Sequence, residues 1–339
     1  MDRPTWMTRR GMLGGAGALL AAGTVPARAA APRSWQASVR ELERRVELRY
    51  AQHDDVRLHY AIAGRGSGRP LILFVHGFPG WWWTWRHLMA ALMDRYTVAA
   101  LDMRGYNLSD KPTAVDRYKI EELVVDLAHV ITDAGFTSAT VVGHDWGGGA
   151  CWGLAGGAPQ FVDRLVTLNC PHPWGIERER HENPKQVAAA KYAQAFRLPD
   201  AAQRALPEQM ARKLLYVQTR PTPLALALIL SQREPLDLPR HLEAMRRTSI
   251  QAALNYYGAN WPAEPYPAPS TDLRIGCPTL CIFGEADEFL LVDGLDGTHA
   301  FVDNDLTIEV IRRAEHFVQN DARAHVTRVL SDWLERTVG

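Results

Sequence analysis

Between Val46 and Asn169 the apolar residues recur in two rhythms that take turns along the chain. Val46–His53 and Val56–Ala63 alternate apolar with polar positions on either side of Asp54-Asp55, which is the pattern of a β-hairpin. Leu71-Ile72-Leu73-Phe74-Val75 is continuously apolar, as expected of a strand covered on both faces. Further strands are predicted at Val98–Asp102, Ala139–Gly143 and Leu165–Asn169, and helices at Trp85–Asp94, Glu121–Ala134 and from Trp146 onward. Such alternation predicts a mostly parallel, doubly wound sheet with helices on both faces. From Pro171 to Asp272 the rhythm stops, and the chain reads as helices and loops rich in Ala, Arg, Leu and Pro. It resumes at Pro278–Phe283 and Leu306–Ile311 and ends in a helix, His325–Arg336. The expectation is an α/β core formed by residues 32–170 and 273–339, with a helical cap at 171–272. A cap over the C-terminal strand ends would act as a lid, because open α/β sheets bind their ligands there.

Residues 1–29 read as a leader. Thr8-Arg9-Arg10 precedes a Gly/Ala-rich apolar stretch to Val25, followed by Pro26-Ala27-Arg28-Ala29-Ala30. A charged start, an apolar middle and an Ala-x-Ala end form an export signal, and the adjacent arginines are of the twin-arginine type. The stretch is too short and too weakly apolar to span about 30 Å of hydrocarbon. The expected product is therefore an exported protein, cut after Ala29, with no stable membrane anchor after processing.

Of the 339 residues, 38 are Lys or Arg and 38 are Asp or Glu. That balance gives no basis for nucleic-acid binding. None of the four cysteines, Cys151, Cys170, Cys277 and Cys281, has metal-ligand spacing. Cys277 and Cys281 lie about 13 Å apart along one predicted strand, beyond disulfide reach. All four read as small buried apolar residues, although export would permit a bridge between distant ones.

The chemistry concentrates after the strands. Gly143-His144-Asp145-Trp146-Gly147, between a strand and a helix, is a nucleophile-elbow pattern with aspartate at its centre. Glycine on both sides of Asp145 permits the sharp turn, and a helix N-terminus favours the anion. A simple helix cap would need neither glycine. Carboxylate attack on an ester would give a reactive anhydride, whereas attack on an sp³ carbon gives an ordinary alkyl ester. The leaving group is then a strained alkoxide or a halide. His76-Gly77-Phe78-Pro79 follows another strand; its Phe78 N–H and that of Trp146 are the candidate oxyanion donors, and His76 reads as a loop-organising residue. Asp287 in Gly284-Glu285-Ala286-Asp287 is the candidate acid, with Glu285 as alternative. His316 after the last strand is the candidate base. No cofactor or metal is implied. Trp81-Trp82-Trp83, with Trp85, reads either as packing beneath the lid or as a wall for an apolar substrate.

Together with Leu101-Asp102-Met103-Arg104-Gly105-Tyr106, Ser109-Asp110-Lys111-Pro112 and His316-Phe317-Val318-Gln319, these motifs resemble the epoxide hydrolase and haloalkane dehalogenase branch of the α/β-hydrolase superfamily, over residues 46–338. The resemblance implies an α/β-hydrolase fold and a cofactor-independent hydrolase. It also implies two lid tyrosines that protonate an epoxide oxygen, at Tyr192 and Tyr257, with Tyr256 competing for the second role. Trp81, Trp82 and Tyr256 are candidate contacts for a small apolar organic substrate. Dehalogenation is the alternative. Phe78 stands where that subgroup often carries Asn, while Trp174 and Trp261 could supply the lid tryptophan of another subgroup. Trp146 and Gly149 occupy positions that are arginine in fluoroacetate dehalogenases. A binding protein that merely kept the fold would not need nucleophile, acid and base together.

Overall fold

The computed structural model describes residues 34–204 and 221–337, so the leader at 1–29 lies outside the described residues. The eight strands of the sheet are β1 (Glu47–His53), β2 (Val56–Ala63), β3 (Leu71–Val75), β4 (Thr97–Leu101), β5 (Ala139–His144), β6 (Val162–Leu168), β7 (Thr279–Gly284) and β8 (Leu306–Ile311). Their spatial order is β1-β2-β4-β3-β5-β6-β7-β8. β1 pairs antiparallel with β2 and β2 with β4, and every later pairing is parallel. This is the α/β-hydrolase fold expected from the alternation. β3, β4, β5 and β7 are buried along their whole length, which explains the uninterrupted apolar run of β3 and the mostly apolar make-up of the other three.

Helices α1 (Trp35–Arg45), α2 (Arg86–Leu92), α3 (Ile120–Asp133) and α4 (Trp146–Gly157) belong to the first part of the core. Between β6 and β7 the chain forms α5 (Pro173–Glu182), α6 (Pro184–Ala189), α7 (Lys191–Phe196), α8 (Pro223–Ser231), α9 (Leu238–Arg247) and α10 (Ile250–Asn260). After β8 come the short α11 (Val318–Asp321) and α12 (Arg323–Arg336). Element ends shift by a few residues from expectation. β6 starts at Val162 rather than Leu165 because its polar Asp163 and Arg164 hide a strand that is only partly covered at that end. The predicted helix from Trp85 is a 3₁₀ turn over Trp82–Trp85 followed by α2. All four thiols are free; Cys277 is only half-buried, unlike the other three. No helix among the described residues is long and apolar enough to cross a membrane.

Parallel register aligns the strand ends. Val75 pairs with Gly143, Gly143 with Thr167, Leu168 with Ile282, and Gly284 with Ile311. The segments that follow β3, β5, β6, β7 and β8 therefore leave the sheet along one rim.

A buried ion cluster fixes the loop after β4. Arg104, fully buried, holds Asp126 of α3 through two hydrogen bonds of 2.7 Å and reaches Glu122 at 3.0 Å. Its carbonyl accepts the Tyr256 hydroxyl at 2.8 Å, tying α10 of the cap to the core. The neighbouring Asp102 accepts from the Trp82 N–H (2.9 Å), the Asn107 amide (2.8 Å) and His59 Nδ1 (2.7 Å). Removing one partner of a buried pair leaves the other charge uncompensated. Asp126→Ala is expected to lower unfolding stability by about 3–5 kcal/mol, read by urea denaturation. A loss below about 1 kcal/mol would mean that Glu122 alone satisfies Arg104.

Candidate active site

Asp145 sits between β5 and α4 with φ 52° and ψ −123°, a backbone conformation that non-glycine residues rarely hold. The turn is tight because the helix start is pressed against β3. A Cβ on Gly147 would lie 2.2 Å from the Val75 carbonyl oxygen, and one on Gly77 would lie 2.3 Å from Asp145 Oδ1. Both positions must be glycine for the carboxylate to stand where it does.

The carboxylate meets the Phe78 N–H and the His316 imidazole. Phe78 N–H donates to Asp145 Oδ1 at 2.7 Å, so one expected oxyanion donor already faces this side chain. Trp146 opens α4 directly after Asp145, and its N–H belongs to the helix's unpaired first turn. His316 Nε2 lies 3.6 Å from Asp145 Oδ2. On the far side of the imidazole, Nδ1–H donates to Asp287 Oδ2 at 2.8 Å. Asp145, half-buried, and His316 and Asp287, both buried, thus form one line, drawn from the ends of β5, β8 and β7. Glu285, by contrast, is exposed and lies 3.9 Å from Arg312.

Asp287 is held by more than the histidine. Its Oδ1 accepts the N–H groups of Phe289 (2.7 Å) and Leu290 (3.2 Å), and its Oδ2 accepts the Asn169 amide (2.7 Å). Asn169, just past β6, also accepts the Gly284 N–H through Oδ1 at 3.1 Å. Reading the sequence missed this orienting residue, although it ends a predicted strand on the same rim as the others. Gln186 of α6 was also missed. It donates to the Phe289 carbonyl and accepts from the Leu291 N–H, both at 2.8 Å, and so steadies the segment that carries the two N–H donors. His76 does organise its loop: Nδ1–H donates to the Gly77 carbonyl (2.9 Å) and Nε2 accepts the Met103 N–H (3.1 Å). Burial lowers its pKa, in keeping with a neutral ring.

The electrostatics follow from this line. Burial opposes charge on His316, but the Asp287 and Asp145 carboxylates outweigh it and hold the imidazole up to about 10. Burial likewise raises Asp145, yet the hydrogen bond and charge of His316 bring its pKa below the usual carboxylate value. His144, buried and next to the His316 cation, is pushed down to about 4; its Nε2–H donates to the His316 carbonyl at 2.8 Å.

A cavity of about 140 Å³ opens over Asp145 and His316. Phe78, Tyr192, Tyr257, Phe289 and Phe317 make its aromatic wall. The rings of Tyr192 and Tyr257, from α7 and α10, are 5.9 Å apart. Burial pushes both phenols above their ordinary pKa. Three expected substrate contacts lie outside the lining of this cavity. Tyr256 is fully buried away from this cavity, because its hydroxyl is committed to the Arg104 carbonyl. Trp81 does not line it either; its indole N–H donates to His241 of the cap at 2.9 Å. Trp82 packs edge-on against Trp81 and Trp83. Trp81 and Trp83 both reach the helical segment between β6 and β7, through His241 and Asp237. Trp174, tilted against Phe301, and Trp261, under the Arg180 guanidinium, also lie outside the cavity lining. Among the described residues no group of His, Cys, Asp or Glu could hold a metal ion.

Comparison with known proteins bears on the family and the fold. The alpha/beta hydrolase fold family matches residues 70–322. The AB hydrolase superfamily protein YfhM of Bacillus subtilis (strain 168) is 32% identical over 295 residues, 86% of this chain and 98% of that protein. Epoxide hydrolase 1 of Caenorhabditis elegans is 32% identical over 296 residues, 86% of this chain and 70% of that one. The crystal structure of Bacillus megaterium epoxide hydrolase in complex with an inhibitor superimposes with a TM-score of 0.72 at 29% identity, covering 85% of this chain and 100% of the other.

The raised His316 pKa has a sign in stability. The unfolded imidazole titrates near about 6.5. The folded state binds the proton more tightly, so this stabilisation is fully present below about 6.5 and is lost as pH climbs through about 10. NMR titration of the His316 ring is expected to place its midpoint near about 10, and lower in Asp287→Asn, which removes one supporting charge. A wild-type midpoint at about 6–7 would contradict the imidazolium bridge.

Proposed function

From a chain that belongs to the α/β-hydrolase fold family and is a hydrolase, we propose the hydrolysis of an epoxide to a vicinal diol through an ester on Asp145. The observation that carries this reading is the convergence of Asp145, His316 and two tyrosines, Tyr192 and Tyr257, on one cavity. An alkoxide leaving group needs a proton donor and a halide does not, so the paired phenols favour epoxide opening over dehalogenation. Their raised pKa values keep both hydroxyls protonated through neutral pH.

Asp145 Oδ2 attacks a ring carbon while Oδ1 stays on the Phe78 N–H. The C–O bond of the ring breaks, and the phenols donate hydrogen bonds and a proton to its oxygen. Before this step the His316 imidazolium is stabilised by two carboxylates. Esterification removes the Asp145 charge, leaving only Asp287, and the His316 pKa falls. The ring can then return its proton, through cavity water, to the phenolate left by ring opening, and act as base for a water that attacks the Asp145 carbonyl carbon. Oδ1 takes the developing negative charge facing the Phe78 N–H, with the Trp146 N–H as second donor. Collapse expels the diol oxygen, which takes the proton His316 drew from water, and the Asp145 acid then returns a proton to His316, restoring the carboxylate and the imidazolium. Relatives named epoxide hydrolases support the reaction class. We also propose that residues 1–29 direct export and are removed after Ala29, which N-terminal sequencing of the exported protein tests.

Tyr192→Phe and Tyr257→Phe are each expected to slow ring opening on the order of 10²-fold. Stopped-flow or steady-state rates with styrene oxide test this, and wild-type rates in both variants would return the tyrosines to a packing role. His316→Gln should trap the ester, because attack needs only Asp145 whereas ester cleavage needs the base. Intact-protein mass spectrometry should show a gain of the whole epoxide mass. A gain equal to a haloalkane minus its halogen, with no epoxide adduct, would move the assignment to dehalogenation.

A further inference from the structure

Two consecutive cap residues of opposite charge, Arg233 and Glu234, grip the core in different ways. Glu234 pairs with Arg86 and Arg323, and lies 2.8 Å from His87 Nε2. Arg86 has a side chain only 4% exposed and also binds Asp237 at 2.7 Å. Burial raises the Glu234 pKa, but His87, Arg86 and Arg323 bring it far below the usual carboxylate range. This is a fixed anchor. Arg233 points the other way. Its Nε donates to Asp321 Oδ1 at 2.7 Å, and its Nη2 lies 3.6 Å from Glu315 Oε2. The other Asp321 oxygen accepts the Glu315 N–H at 3.0 Å. Glu315 immediately precedes His316, and Asp321 ends α11, so the contact joins the cap to both ends of the segment that bears His316.

Arg233, Glu315 and Asp321 all line the cavity, and the exposed Arg233 and Glu315 mark its solvent-facing end. The Arg233 side chain is 49% exposed and that of Glu315 57%, whereas the Asp321 side chain is only 8% exposed. The Arg233–Glu315 pair, exposed on both sides, is weak and screened by salt, and the Arg233–Asp321 pair is open to solvent on its arginine side, whereas Glu234 is clasped by a guanidinium that salt scarcely reaches. Adjacent residues thus provide a pivot that stays and a fastening that yields.

We propose that Arg233 is a specificity-determining residue: its pairing with Asp321 and Glu315 latches one side of the cavity mouth and selects compact epoxides over those whose body extends past the latch. The proposal rests on the epoxide reading above for its substrate and on the ion-pair geometry for its mechanism.

The test compares kcat/KM for 4-phenylstyrene oxide with that for 1,2-epoxybutane, in wild type and in Arg233→Gln. The bulky-to-compact ratio is expected to rise on the order of fivefold in the variant, the scale of an exposed ion pair. In wild type the ratio should climb as salt is raised to about 1 M, where the screening length is about 3 Å, while the variant stays flat. An unchanged ratio in the variant, or equal salt dependence in both proteins, overturns the latch. If wild type opens no epoxide, the reading of the reaction fails, and the latch is read without turnover by deuterium exchange of peptides spanning 223–234 and 315–321. Faster exchange in Arg233→Gln at low salt than in wild type supports it; identical exchange overturns it.

Discussion

One buried cation between a buried carboxylate, Asp287, and a half-buried one at the cavity floor, Asp145, sets the terms for everything around it. Taking such groups out of water costs several kcal/mol per ion unless each lone pair and proton finds a partner. The fold supplies those partners from separate elements. Asp287 receives two backbone N–H groups, the Asn169 amide and the imidazole. Asp145 receives the Phe78 N–H and stands at the start of α4, whose dipole favours its charge. The rim of the parallel sheet is the one place where segments from β3, β5, β6, β7 and β8 can meet, so the charge line and the sheet topology require one another.

Much of this was legible because it rests on local rules. An uninterrupted apolar run marked β3, mostly apolar runs marked β5 and β7, and glycines around Asp145 marked a turn too tight for any Cβ. Positions past strand ends, in the right order, marked Asp287 and His316. What stayed hidden depends on contacts between distant segments. Tyr256 and Tyr257 are neighbours on one helix, so their side chains diverge by about 100°. Nothing local says which faces the cavity; the Arg104 carbonyl decides it by taking the Tyr256 hydroxyl. Glu285 and Asp287 both follow β7, yet only Asp287 meets Asn169 and His316. Asn169 itself carries no motif, since an asparagine at a strand end is more often a turn residue.

The tryptophan run shows how a sequence feature near a site can serve another purpose. Trp81 and Trp83 aim their indole N–H groups at His241 and Asp237 of the cap. Trp85 packs on Phe74 of the central sheet. Large amphipathic rings with one donor each suit a seam between layers, where most of the ring is dry and one edge meets a polar partner. The run joins the cap to the sheet beside the Glu234 cluster.

The gap between β6 and β7 has a consequence for how the molecule is made. β6 ends at Leu168 and its neighbour β7 begins at Thr279. At ribosomal speeds the edge of β6 waits roughly 5 to 20 s for the strand that covers it. During that interval the nascent chain presents an apolar strand with unpaired N–H and C=O groups, the kind of edge that recruits wrong partners. The cap helices emerge in the same window, and so does no part of the segment bearing His316, which follows β8. The half-built sheet therefore carries Asp145 without its base, and chemical competence arrives only with the last fraction of the chain, when the exposed edge has already closed.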